Sequence, residues 1–195
     1  GELLTQVVNY GEITTGDGTV GASSRMYYTG YGYSAQLLQN ADGVIVTGDD
    51  STGARVAGNY SSTLVNEGRI TVGGNSIGGD ITAGSVTLRY GDTTATVIDG
   101  ALFASNSGII ETGDNSVGLR MTGVFDDVAY SGTVTVREPQ GCSYIDPVCN
   151  YSTVVIEGTA DVVGVSYLAN SGTIRTGANS TAVVISGRGA DELGG

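Results

Sequence analysis

Apolar and polar positions along this chain alternate with a period of two, and no stretch of a dozen residues carries apolar side chains at i, i+3, i+4 and i+7 without a glycine interrupting it. The abundance of Thr, Val, Ile and Tyr strengthens the strand reading. The pattern predicts an all-β chain with almost no helix.

The alternation recurs in register with a motif. Five copies read Asn9-Tyr-Gly11-Glu-Ile13-Thr-Thr15-Gly16, Asn40-Ala-Asp-Gly43-Val-Ile45-Val-Thr47-Gly48 with one inserted residue, Asn66-Glu-Gly68-Arg-Ile70-Thr-Val72-Gly73, Asn106-Ser-Gly108-Ile-Ile110-Glu-Thr112-Gly113 and Asn170-Ser-Gly172-Thr-Ile174-Arg-Thr176-Gly177. In four copies a Ser or Thr follows three residues after the last Gly and another Gly two residues later; the fifth keeps Ser180 but has Ala182. Gly158 to Gly164 reads as a decayed sixth copy.

Alternation assigns the faces. Ile and the residue two positions on point one way, and the residue between them points the other. One column is Ile13, Ile45, Ile70, Ile110 and Ile174, Ile in every copy, whereas the intervening column is Thr14, Val46, Thr71, Glu111 and Arg175. The Ile column is therefore expected in the core, where each buried Ile contributes roughly 1.5–3 kcal/mol. The Asn and Gly beside the strand are read as corner residues that tolerate positive φ. Aliphatic residues before each Asn, such as Leu37-Leu38 and Leu64-Val65, read as the preceding strand of the same coil.

A repeat of this period, too short to bury its own core, predicts stacked coils. The expected fold is a single domain over 1–195, a right-handed single-stranded parallel β-helix (β-solenoid). Successive motif glycines (Gly16, Gly48, Gly73, Gly113, Gly177) are 32, 25, 40 and 64 residues apart, which suggests six to eight coils with loop insertions. In the longest gap, Thr133–Arg137 and Thr153–Glu157 flank a cysteine-containing loop. They read as a hairpin excursion over 133–157, or alternatively as ordinary coil edges.

Composition narrows the chemistry. There are 33 Gly but 2 Pro, and the eight basic residues are all Arg, with no Lys, His or Trp. Ser-His-Asp and Cys-His systems, His-ligated zinc and Lys bases are thereby excluded, and no cofactor is indicated. A net charge of −12 argues against nucleic acid and anionic membrane as partners. No run of 18 apolar residues suggests insertion into a membrane. Cys142 and Cys149 enclose an Asp-Pro turn, a spacing read as a disulfide closing a small loop, with two reduced thiols as the alternative.

The pattern Asn-x-Gly-x-Ile-x-x-Gly-x-x-Ser-x-Gly, with small polar loops and few Cys, resembles passenger domains of Gram-negative autotransporters over nearly the whole chain. The resemblance implies export through the outer membrane, folding into a β-helix outside, and display as a stalk or adhesin on the cell surface. The family's membrane barrel is missing from these 195 residues, and without His the protease triad that some passengers carry cannot be built.

Four candidate sites stand out. Tyr27, Tyr28, Tyr31 and Tyr33 form the densest aromatic cluster, suited to stacking on a glycan or packing on a host-cell or bacterial surface protein. Asp17, Asp49, Asp50 and Asp114 each fall just after a motif Gly, so Asp17 and Asp49 of adjacent coils could share a calcium ion, although the Gly-Gly-x-Gly-x-Asp repeat of calcium solenoids is absent. Asp126-Asp127, or Glu111 with Asp114, could act as glycosidase acid and base. A Thr array for ice binding is contradicted by the mixed outward column.

The functional expectation is a non-catalytic extracellular scaffold or adhesin. The alternatives are a self-associating filament or surface-layer subunit built by stacking coil ends, whose edges offer unpaired strand groups, and a polysaccharide-acting β-helix of tailspike type.

Overall fold

The computed structural model describes residues 3–26, 33–58, 61–83, 87–90, 95–98, 101–125, 128–137, 151–160 and 165–189. Among the described residues there are nineteen strands and no helix. The first turn of the chain contains β1 (Leu3–Asn9), β2 (Glu12–Thr14) and β3 (Val20–Arg25), and the second β4 (Tyr33–Gln39), β5 (Val44–Val46) and β6 (Thr52–Gly58). The third holds β7 (Ser61–Asn66), β8 (Arg69–Val72) and β9 (Ile77–Ala83), followed by a hairpin of β10 (Thr87–Tyr90) and β11 (Ala95–Ile98). The fourth holds β12 (Ala101–Asn106), β13 (Ile109–Thr112) and β14 (Val117–Phe125), followed by a second antiparallel pair, β15 (Val128–Arg137) and β16 (Tyr151–Ala160). The fifth holds β17 (Val165–Asn170), β18 (Thr173–Arg175) and β19 (Thr181–Gly189).

Each turn gives one strand to each of three parallel sheets. Sheet A runs β1-β4-β7-β12-β17, sheet B β2-β5-β8-β13-β18, and sheet C β3-β6-β9-β14-β19. The arrangement is consistent with a β-solenoid. There are five turns among the described residues, one per motif copy, where motif spacing predicted six to eight.

The extra length lies in one place. Corners from sheet A to sheet B take two residues, except four (40–43) in the second turn, and corners from B to C take four or five. The connections from sheet C back to sheet A are 26–32, 59–60, 84–100 and 126–164, or 7, 2, 17 and 39 residues. Among the described residues, the 40- and 64-residue motif gaps hold antiparallel pairs in place of further coils. The segment read as a decayed sixth copy begins within β16, in the second hairpin.

Inward side chains stack by kind. Ile13, Ile45, Ile70, Ile110 and Ile174 pair in register along sheet B; the middle three are fully buried, and the two in the end turns are partly buried against the same core. Leu37, Leu64 and Leu102 continue the core on sheet A, and Val56, Ile81 and Met121 on sheet C.

None of the motif's leading amides is a positive-φ corner; Asn9, Asn66 and Asn106 are buried and, with exposed Asn170, belong to a side-chain ladder. Asn66 Nδ2 donates to Asn106 Oδ1, and Asn106 Nδ2 to Asn170 Oδ1, both at 2.7 Å. In the second turn it is Gln39, not Asn40, that pairs with Asn9 and Asn66 and accepts from Asn9 Nδ2 at 2.9 Å. Gln39 sends its own Nε2 to Arg69 O, leaving Asn66 Oδ1 buried without a donor.

The left-handed backbone lies at the B-to-C corner instead, at Gly18, Asp50, Asn75, Asn115 and Asn179, with φ between 52° and 66° in all five turns. Next to it, Thr19 N donates to Ser51 Oγ, Ser51 N to Ser76 Oγ, Ser76 N to Ser116 Oγ and Ser116 N to Ser180 Oγ at 2.9–3.1 Å.

Three substitutions test this packing. Ile110→Asp abolishes the cooperative thermal transition, because it puts a charge into the middle of the Ile column. Glu111→Ala costs at most about 1 kcal/mol, because its partners Arg69 and Arg175 have side chains 51% and 71% exposed. In chemical denaturation, Asn106→Leu destabilises by about 1–3 kcal/mol, since Asn66 Nδ2 and Asn170 Oδ1 lose their ladder partner.

Candidate functional site

Five strands in register turn single outward residues into surface columns. On sheet A the outward positions are Leu4, Gln6 and Val8 in the first turn, Ser34, Gln36 and Leu38 in the second, and Ser61, Thr63 and Val65 in the third. Ala101, Phe103 and Ser105 follow in the fourth turn, and Tyr167 and Ala169 in the fifth. None is charged, in a chain with 28 charged side chains (8 Arg plus 20 Asp and Glu). Leu4, Val8, Phe103 and Tyr167 are exposed. At strand spacings of about 4.8 Å and a rise of about 3.3 Å per residue, the face measures roughly 20 by 20 Å. Six of the fourteen positions are Gln, Ser or Thr, so the face is neutral and mixed, with apolar side chains set among uncharged polar ones.

The other two sheets differ. Sheet B presents Glu111 between Arg69 and Arg175, with Arg175 Nη1 3.0 Å from Glu111 Oε1. On sheet C, Arg55, Asp80 and Arg120 lie on adjacent strands in register. Asp80 is buried and takes two hydrogen bonds from Arg120, at 2.9 and 3.0 Å. Arg55 Nε lies 3.3 Å from Asp80 Oδ2 without the angle of a hydrogen bond, so that contact is an electrostatic one. Both clusters hold successive coils together.

Along the edge where the lower rows of sheet A turn toward sheet B, Val8, Tyr10, Leu38, Gln39, Asn40, Val65 and Glu67 line a surface depression. The opposite edge is the corner from sheet C, which carries all the long connections. Eight of the 11 Tyr fall in those connections: Tyr27, Tyr28, Tyr31, Tyr60, Tyr90, Tyr130, Tyr144 and Tyr151. Tyr33 and Tyr167 belong to sheet A, and Tyr10 to the corner leaving it. In repeat proteins, insertions gather on one face, often the binding face.

The chain matches no family model, no curated protein and no solved structure.

Of the candidates read from sequence, Tyr27, Tyr28 and Tyr31 lie outside the described residues, and Tyr33 begins β4. Cys142, Cys149 and the pair Asp126-Asp127 also lie outside them. Asp17, Asp49 and Asp114 have other work: each Oδ1 accepts a backbone N–H of the next turn, from Asp49 at 2.8 Å, Gly74 at 2.7 Å and Ala178 at 2.6 Å. Asp50 occupies the left-handed corner. Among the described residues, no group of three or more acidic, His or Cys side chains is placed to hold one metal ion. Glu111 is engaged by two Arg, and Asp114 by the Ala178 amide.

Sequence reading missed the sheet A face. Its signal was present as uncharged residues at alternate positions, but it takes the register to assemble them.

The Asp80 cluster has a directional test. Arg55→Ala with Arg120→Ala leaves a buried carboxylate unpaired and destabilises by about 3–5 kcal/mol. Asp80→Ala costs less, because both guanidinium groups are partly exposed and reach water. Adding Asp80→Ala to the double Arg variant restores stability, as measured by denaturant midpoint.

Proposed function

We propose that this chain is a non-catalytic β-helical scaffold that presents sheet A as a contact surface. The observation that carries the reading is the outward face of sheet A, uncharged at fourteen described positions in a chain of net charge −12. An acidic surface repels most biological surfaces, which are themselves anionic. A flat neutral face with Phe103 and Tyr167 gives apolar area and hydrogen-bonding tips without that penalty.

In this reading the coil is right-handed, and the long pair β15–β16 is an excursion whose tip is closed by a Cys142–Cys149 disulfide. The setting is the outer surface of a Gram-negative bacterium, the chain being a displayed segment of autotransporter type. Its partner is a surface protein or glycan. The regular repeat supports this setting, as does the concentration of all long insertions at one corner, which leaves the stacking frame intact.

Binding of labelled protein to whole cells and to immobilised surface glycans tests the reading. The variant Val65→Glu with Phe103→Glu lowers binding at least tenfold while its melting temperature stays within about 3 °C of the parent, since both positions face outward. Thr71→Glu, on the outward face of sheet B, leaves binding unchanged. Equal loss from both variants, or new reducing ends released from surface polysaccharide by the parent protein, overturns the proposal.

A further inference from the structure

The two ends of the coil stack are not equivalent, and the difference lies in residues that can be checked one by one. At the A-to-B corner a Cβ on Gly43 would stand 2.6 Å from Asn9 O of the preceding turn, and a Cβ on Gly68, Gly108 or Gly172 would overlap the preceding turn's glycine carbonyl. After sheet B, a Cβ on Gly48, Gly73 or Gly177 would overlap the preceding turn's Asp17, Asp49 or Asp114 carboxylate. These glycines are dictated by the turn before them. Gly11 and Gly16 occupy the same two columns in the first turn, yet nothing lies within 4 Å of a Cβ at either, and neither has positive φ. Nothing among the described residues requires them to be glycine.

The last turn shows the reverse. A Cβ on Gly21 or Gly118 would meet Cγ2 of the following turn's Ile45 or Ile174 at 2.5 Å, and Gly53 and Gly78 are equally crowded by Ile70 and Ile110. The fifth turn has exposed Ala182 in that column. Ala178 lies in the column where Asp17, Asp49 and Asp114 offer an Oδ1 to the next turn's amide; the third turn has Gly74 there and still carries the fourth, so it is Ala182 that closes this end.

We infer that the first-turn face is a docking surface for a further coil of this same repeat, stacked in parallel register, and that the fifth-turn face is closed to one. The inference continues an interface already made four times within the chain, and it stands on coil geometry alone, independently of the contact role of sheet A. The occupant carries Gly where this chain has Ala182. A second copy added head to tail does not qualify, because Ala182 would collide with its Ile13.

The test adds the missing coil. Inserting a second copy of residues 3–32 before Leu3 preserves the 30-residue offset that pairs Leu3 with Tyr33 (33 minus 3). The melting temperature is expected to rise by about 5 °C or more. Gly11→Ala in the original first turn is neutral in the parent chain, but cancels most of that rise in the extended one. No rise, or an alanine equally neutral in both backgrounds, overturns the docking surface.

A second arm works in trans. By sedimentation velocity the parent shows no growth into longer species with concentration, whereas Ala178→Asp with Ala182→Gly grows head to tail and Gly11→Ala reverses that growth. A parent that elongates by itself overturns the closed end; a double variant that stays a single species counts against the open one.

Discussion

The structure depends on one distance, the strand spacing at which each turn stacks on the one before. At about 4.8 Å, every corner residue faces its own counterpart in the next turn, and there is no room for an arbitrary side chain between them. Gly fills the columns where carbonyl oxygens of the neighbouring turn would meet a Cβ. Asn fills the column where one amide can both donate and accept along the stack, as Asn106 does between Asn66 and Asn170. A small hydroxyl fills the corner column where a backbone N–H of the previous turn needs an acceptor. The repeat is thus a list of what fits between identical neighbours at a fixed separation, and the Ile column is the part of it that supplies the core.

A frame so tightly specified restricts where the chain can vary. The corners on either side of sheet B are held to two to five residues by ladder hydrogen bonds and by the left-handed residue. The corner from sheet C to sheet A has no such ladder among the described residues and absorbs between 2 and 39 residues. Loop closure cost rises slowly with length, so a long insertion there is tolerated if the strands on both sides keep their register. They do: β9 and β14 pair across the first hairpin, and β12 and β17 across the second.

How much of this was legible in the sequence differs from column to column. The isoleucines could be read because one residue type recurs at a constant distance from glycine while its neighbours vary. The amide ladder was not legible, and in the second turn the motif's Asn was aligned at Asn40, because Gln39 and Asn40 are adjacent and the corner is two residues longer than elsewhere; only pairing with Asn9 and Asn66 shows that Gln39 takes the place. The left-handed column escaped notice because three residue types fill it: Gly18, Asp50, and the asparagines 75, 115 and 179. Five turns are described where length suggested six to eight, because the two long gaps contain antiparallel pairs among the described residues. The sheet A face was invisible one strand at a time, since Ser-x-Gln-x-Leu or Ala-x-Phe-x-Ser is unremarkable until five such rows are laid side by side.

Electrostatics gives that face its character. With 20 acidic residues against 8 basic ones, the molecule as a whole repels anionic surfaces and its own copies. Screening at physiological ionic strength acts over about 8 Å, while the neutral face spans roughly 20 Å, so a group at its centre lies beyond the reach of most rim charges. Apolar contact can form there without desolvating an ion. Association through sheet A is therefore expected to depend weakly on salt, and association through any other face to strengthen as salt screens the acidic surface. Salt dependence alone then separates a partner held on the neutral sheet from one held elsewhere on the solenoid.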